Sequence, residues 1–107
     1  MTDDSARVQI LSQLTEDLTG LWELAATPAA PAMGVLISEL DSLIDAEMVA
    51  IYSGTEFASE EIRLDKAQSH AAIRNRNFWD WDAPEKGPHI RALATQAGVD
   101  WYYAQRQ

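Results

Sequence analysis

Apolar residues recur every three or four positions through the first part of the chain, as they do along one face of a helix. The stripe consists of Leu11, Leu14, Leu18, Leu21, Trp22 and Ala25. It predicts one helix over about residues 5–26, and Ser5 with the acids before it suits the helix start. Gly20 inside this range costs about 1 kcal/mol relative to Ala, which a stripe of this length can offset.

A second apolar stripe follows residues 27–31, where two prolines interrupt the helical pattern. The stripe consists of Leu36, Ile37, Leu40, Leu43 and Ile44. It predicts a helix over about residues 32–47, with Glu39, Asp41 and Asp45 along another face.

Two stretches have the composition of short strands. Residues 48–52 are β-prone and end at a Ser-Gly turn signal, and residues 90–94 follow a turn that contains two prolines and a glycine. We expect these strands to pair antiparallel, with Thr95 capping a last helix. Between them, Ser59 is expected to begin a helix over about residues 59–74.

Both strand regions join a helix directly. LISELDSLIDAEMVAIYSG takes a helix into a strand, and RALATQAGVDWYY takes a strand through Ala-Thr-x-x-Gly into a helix. Together, these motifs resemble winged-helix bacterial regulators, in which a helix leads into the first wing strand and a Leu-Thr-x-x-Gly turn follows the returning strand. Ala94 stands in place of the usual Leu, and the motifs cover about a third of the chain.

The predicted elements and the resemblance together favour a single α+β domain over residues 1–107, winged-helix-like, with three to four helices, a two-stranded antiparallel ribbon and a helical insert between the strands. Two features depart from the family pattern. The insert of about 35 residues is longer than an ordinary wing, and one stripe precedes residues 32–47 where the family has two helices. A DNA-reading helix would also present Arg, Lys, Asn or Gln to the bases, whereas this one displays four carboxylates.

The chain is strongly acidic, with a net charge of −9. Residues 1–61 hold 12 acids and one base, whereas residues 62–107 hold seven bases and five acids. An acidic half repels phosphate backbones and would steer the protein toward a basic partner. Acidity that only maintains solubility is the alternative. The absence of Cys, the acidic N-terminus and the lack of an apolar run of about 18 residues lead us to expect a cytoplasmic bacterial protein without a membrane role.

One stretch combines arginines, aromatics and acids, and it is a candidate partner-binding site because Arg and Trp are enriched at binding hot spots. The residues assigned to partner binding are Arg74, Arg76, Phe78, Trp79 and Trp81, together with the helix carboxylates Glu39, Asp41 and Asp45. In two alternatives, the aromatics pack over the strand pair or stack on single-stranded bases.

Four bases form a second candidate surface, which could contact a nucleic-acid backbone. They are Arg63, Lys66, Arg74 and Arg76. The alternative is a solvated face whose bases pair with nearby acids.

Catalytic and metal-binding patterns are missing from the sequence. His70 and His89 are the only histidines, and without Cys or a His-Glu-x-x-His pattern they lack metal-ligand spacing. There is no nucleophile elbow and no glycine-rich phosphate loop. We therefore expect no enzymatic activity, no metal site and no cofactor.

These observations favour a non-enzymatic acidic module that binds and neutralises or regulates a basic protein, as immunity proteins, antitoxins and inhibitors do. A dimeric winged-helix transcription regulator that contacts DNA through residues 60–90 is the second hypothesis. A structural subunit that assembles through an exposed tail, Trp101-Tyr102-Tyr103-Ala104-Gln105, is the third.

Overall fold

Helices and strands are interspersed along the chain in an α+β arrangement, and the described residues form five α-helices rather than the three to four expected. The computed structural model describes residues 5–26, 30–54, 61–80 and 89–105. The elements of this part are α1 (Ser5–Leu14), β1 (Thr19–Gly20), α2 (Leu21–Ala26), α3 (Met33–Asp45), β2 (Val49–Gly54), β3 (Ile62–Arg63), α4 (Lys66–Arg74), a 3-10 helix (Arg76–Trp79), β4 (His89–Ala94) and α5 (Gln96–Gln105).

The strands form one antiparallel sheet in the order β1-β4-β2-β3. Its central pair, β2 with β4, runs from Val49 opposite Ala94 to Gly54 opposite His89. The predicted pairing of these two stretches is thus confirmed. The sheet of the described residues nevertheless has four strands rather than two, because β1 adds to β4 and β3 adds to β2.

The prediction of one helix over residues 5–26 is wrong. Helix α1 ends at Leu14, and the chain then turns at Asp17, whose carboxylate accepts from the backbone N–H of Leu18 at 2.8 Å. Gly20 lies in β1 against the indole ring of Trp22, where an added Cβ would come within 2.4 Å of a ring carbon. The helical period continues past the break because α2 also turns its leucines into the core.

The helix predicted over residues 59–74 begins later, at Lys66. Its N-cap is Asp65, whose carboxylate accepts from the Gln68 N–H at 2.7 Å while the Gln68 side chain accepts from the Asp65 N–H at 3.1 Å. This reciprocal capping box fixes the helix start. Ser59, the expected cap, lies outside the described residues.

The apolar stripes of the sequence meet in one core between the helices and a face of the sheet. Fully buried members include Leu11, Leu14, Leu21, Leu24, Leu36, Leu40, Leu43, Ile51 and Ile73. The helix predicted over about residues 32–47 is confirmed as α3, which is slightly shorter.

No helix among the described residues combines the length and apolar character that crossing a membrane requires.

Helix α3 ends in a tight turn that leads directly into β2. The N–H of Glu47 donates to the Ile44 carbonyl at 3.0 Å, and the N–H of Met48 donates to the Leu43 carbonyl at 2.9 Å. This is the Schellman pattern, which needs a left-handed residue, and Glu47 takes that conformation at φ 60°. A residue other than Gly is uncommon there, so surrounding contacts must hold the turn in place.

Those contacts come from the turn between β4 and α5. The Thr95 hydroxyl donates to the Glu47 carbonyl at 2.5 Å, and the Thr95 N–H donates to the Met48 carbonyl at 2.9 Å. The same hydroxyl accepts from the Gly98 N–H at 3.3 Å, which confirms the predicted N-cap. A Cβ at Gly98 would lie 2.1 Å from the Met48 oxygen, so only glycine allows this approach.

We expect Gly98→Ala to lower the free energy of unfolding by about 3 kcal/mol, because the two turns would have to separate. Gly34→Ala is the matched control. A Cβ at Gly34, which also lies in a helix, meets nothing within 4 Å, so this change should stabilise by about 0.5–1 kcal/mol. Urea denaturation of both variants measures the difference. Equal stability of Gly98→Ala and wild type would show that the turns do not pack this closely.

Candidate functional site

The acidic face of α3 lies against a basic face of α4. The cations Lys66, His70 and Arg74 are spaced four residues apart, so they share one side of α4. Opposite them are Asp41 and Asp45 of α3. Two of the carboxylates predicted to bind a partner are therefore already paired within the fold.

His70 lies between the two carboxylates. Its Nδ1 is 2.6 Å from Asp41 Oδ1, and its Nε2 is 2.9 Å from Asp45 Oδ1. A neutral imidazole has one N–H, so both nitrogens can donate only when the ring is protonated. The hydrogen bonds to Asp41 and then to Asp45 raise the pKa of His70 above its ordinary value of 6.5.

Arg74 and Lys66 complete the network. Arg74 Nη2 is 2.6 Å from Asp41 Oδ2, and Lys66 Nζ is 3.6 Å from a Glu47 carboxylate oxygen. These are two of the four bases assigned to a possible nucleic-acid contact. The other two, Arg63 and Arg76, are exposed and have no ion pair among the described residues.

Glu39, the third helix carboxylate assigned to partner binding, pairs with Arg7 of α1. Arg7 Nε lies 2.6 Å from Glu39 Oε1, and the guanidinium also lies over the ring of Trp101, 5.5 Å from its centroid. Arg7 thus joins α1, α3 and α5, and a cation over an aromatic face adds attraction.

The aromatic stretch is a packing element where the structure describes it. Trp79 is 5% exposed, and its indole N–H donates to the Ile73 carbonyl at 2.8 Å. Phe78 is half-buried against the same core. Because Trp79 is buried, a partner cannot reach its side chain on this surface. Arg74 and Arg76 are exposed, and Trp81 lies outside the described residues.

A second polar cluster was not predicted from the sequence. Glu61 Oε1 lies 3.1 Å from Arg91 Nη1 and 3.5 Å from Nε2 of His89, whose side chain is 4% exposed. Glu61 Oε2, His89 Nε2 and Arg91 Nε are buried and have no hydrogen-bond partner among the described residues. The cluster is thus held mainly by attraction to one carboxylate oxygen. Buried charges with unsatisfied polar atoms are weak evidence that the cluster stabilises the fold.

Glycine at position 54 makes room for this cluster. Gly54 is the register partner of His89, and a Cβ there would lie 2.8 Å from Glu61 Cγ. The alternation of polar and apolar residues in β4 places His89 and Arg91 on the sheet face opposite Ile90. That alternation was the available signal, but it does not reveal the carboxylate, which comes from a distant segment.

A small cavity lies between α3, α4 and the sheet. Its volume is about 130 Å³, with apolar walls that include Ile44 and Val49 and charged lining residues that include Glu47, Arg63 and Lys66. Ligand pockets usually enclose about 300–1,000 Å³. The cavity is therefore too small for an ordinary small-molecule site.

The burial of Trp79 generates a direct test. We expect Trp79→Ala to lower the free energy of unfolding by about 3–5 kcal/mol, since a large buried side chain is removed. Trp79→Phe keeps most of the packing but leaves the Ile73 carbonyl without its donor, so it should cost about 1–3 kcal/mol. Chemical denaturation ranks the variants. A surface anchor would instead give a Trp79→Ala variant of unchanged stability.

The described residues bring together two polar clusters, one across α3 and α4 and one on the sheet. Among them, no group of three or more His, Cys, Asp and Glu side chains is placed to hold a metal ion. Comparison of the chain with protein-family models, with curated proteins and with solved structures found no match.

Proposed function

We propose that the protein is a non-enzymatic acidic interaction module that binds and neutralises or regulates a basic protein partner. The observation that carries this proposal is that most cations of the protein pair with its own carboxylates. Of the six Lys and Arg residues that the structure describes, four contact carboxylates of the fold, namely Arg7, Lys66, Arg74 and Arg91.

The charge that remains is mainly negative. Five acids have no ion pair within the described ranges: Glu16, Asp17, Asp65, Asp80 and Asp100. Only two bases of the same ranges are unpaired. Since paired charges largely cancel at a distance, these acids dominate the field that a diffusing partner meets and would raise its association rate.

The proposal changes which residues meet the partner. Arg76 is not among them, because a cation with no ion pair among the described residues repels a basic protein. Glu39, Asp41 and Asp45 contribute little to the attraction of a basic partner, because each already pairs with a cation of the fold. Apolar contacts come from exposed side chains, of which Ile62 and Tyr103 are 70% and 51% exposed, rather than from Trp79. A bacterial cytoplasm is the proposed setting because a chain without Cys suits a reducing compartment.

We also propose a winged-helix-like fold in its finer detail. Helices α1 and α2 supply the two helices that the family has before its third, α3 runs directly into β2, and β4 passes through Thr95 into α5. This order favours the second candidate function, a dimeric regulator that contacts DNA through residues 60–90. The engagement of Lys66 and Arg74 by carboxylates counts against it.

The test is a pull-down from lysate of the native host with three baits, at about 50 and about 200 mM NaCl. The baits are the wild type, a Glu16→Lys/Asp100→Lys variant and an Arg63→Gln/Arg76→Gln control. We expect the wild type to enrich a basic protein that is partly lost at the higher salt, because salt screens exposed charges. The lysine bait should retain less of it, and the glutamine control should retain at least as much.

Recovery of DNA instead of a protein, with loss of that DNA from the Arg63→Gln/Arg76→Gln bait, would overturn the proposal and support the regulator. A protein retained equally by all three baits at both salt concentrations would exclude electrostatic steering as the mechanism.

A further inference from the structure

The two carboxylates that His70 contacts are held very differently. The Asp41 side chain is 23% exposed and is also bound by Arg74, whereas the Asp45 side chain is 70% exposed. Lys66 reaches only the backbone oxygen of Asp45, at 3.2 Å. Among the described side chains, His70 is therefore the one cation that contacts the Asp45 carboxylate.

The geometry determines which contact survives when the ring loses a proton. A neutral imidazole keeps one N–H, and the other nitrogen becomes an acceptor. The contact of Nδ1 with Asp41 is shorter, at 2.6 Å against 2.9 Å, and involves the more buried carboxylate. The proton that leaves is then the one on Nε2, and the bare nitrogen faces a carboxylate oxygen of Asp45, which repels it.

From this asymmetry, we propose that His70 is a pH-dependent switch between α3 and α4, whose deprotonation releases the Asp45 carboxylate to solvent while Asp41 stays bound. The α4 backbone remains docked, since Ile73 and Ala72 are buried in the core. The switch changes the charge and the exposed edge of the α3–α4 contact rather than the fold.

The charges around His70 set the size of the change. Asp41 and Asp45 of α3 contact it, Glu47 in the turn that follows pairs with Lys66, and Lys66 and Arg74 lie on its own helix. With the imidazolium, three cations balance three carboxylates. After deprotonation, the same face carries one net negative charge, so the displayed acidity increases with pH. The switch operates without any partner and does not depend on the proposed function.

The sign of the effect on stability follows from the direction of the pKa change. The pKa of His70 is higher in the folded protein than its ordinary value of 6.5. The stabilisation from this group is therefore complete below pH 6.5 and is lost as the pH rises through the folded-state pKa.

Nitrogen-15 NMR of the two histidine rings tests the switch. We expect His70 to titrate above pH 6.5 and its neutral form to carry the proton on Nδ1. Asp45→Asn should move the titration toward 6.5 and keep the Nδ1–H tautomer, while Asp41→Asn should remove the tautomer preference. Glu47→Gln, a change at a nearby carboxylate that does not contact His70, is the matched control and should leave the tautomer unchanged.

Urea denaturation at pH 6 and pH 8 gives an independent measurement. The stability difference between wild type and His70→Gln should be larger at pH 6 than at pH 8. An Nε2–H tautomer of neutral His70, a titration at or below pH 6.5, or a stability difference that does not change with pH would overturn the proposal.

Discussion

The close contact between two turns, one after α3 and one after β4, holds the two halves of the fold together. Glu47 and Thr95 are 48 positions apart in the sequence, yet the hydroxyl of one donates to the carbonyl of the other. The turns lie at the same end of the central strand pair, beside the register partners Val49 and Ala94. Their contact therefore fixes where the pairing of β2 with β4 begins, and with it where α3 and α5 leave the sheet. The approach requires the glycine at 98, and it holds Glu47 in the left-handed conformation that the end of α3 imposes.

The same fold pairs most of its described cations with carboxylates and leaves few of them free. The bases of α4 meet the acids of α3, Arg7 joins three helices, and Arg91 meets Glu61 beside the sheet. Each pair is modest in energy because most of the side chains keep contact with solvent. Their combined effect on the surface is larger, since they leave few positive charges to oppose the remaining acids. The electrostatic character of the molecule thus depends on packing as well as on composition.

The sequence predicted those parts of the fold that rest on local patterns. The stripe of α3, the strands at β2 and β4 and the Thr95 cap each have a signal within a few residues. The break at Gly20 escaped prediction because Leu21 and Leu24 continue the helical period on the far side of it, and because β1 exists only through its pairing with β4. The position of α4 escaped because β3 occupies part of the range in which a helix was expected.

The candidate sites show the same division between local and distant information. The sequence identified Asp41, Asp45, Lys66 and Arg74 as charged surface residues, but their mutual pairing depends on how two helices pack. The Glu61–His89–Arg91 cluster combines residues from segments that the sequence separates widely. Aromatic content alone could not distinguish a packing Trp79 from a binding one, because both uses bury the same ring. The contact that identifies Trp79 as a packing residue is the hydrogen bond from its indole N–H to the Ile73 carbonyl of α4.

The wide sequence separation of β2 and β4 also has a kinetic consequence. Their pairing closes a long loop, and the chain loses the conformational entropy of that loop before the contacts between the turns can form. We therefore expect this protein to fold more slowly than a helical bundle of similar size. The thermodynamic penalty rises only slowly with length, by about 0.6 kcal/mol for each doubling of a flexible loop. Extra residues in this loop would therefore add little entropic cost wherever they leave the packing of α4 and Trp79 intact. The spacing from Thr95 to Gly98 should tolerate no change, because the Thr95 hydroxyl accepts from the Gly98 N–H while it contacts the other turn.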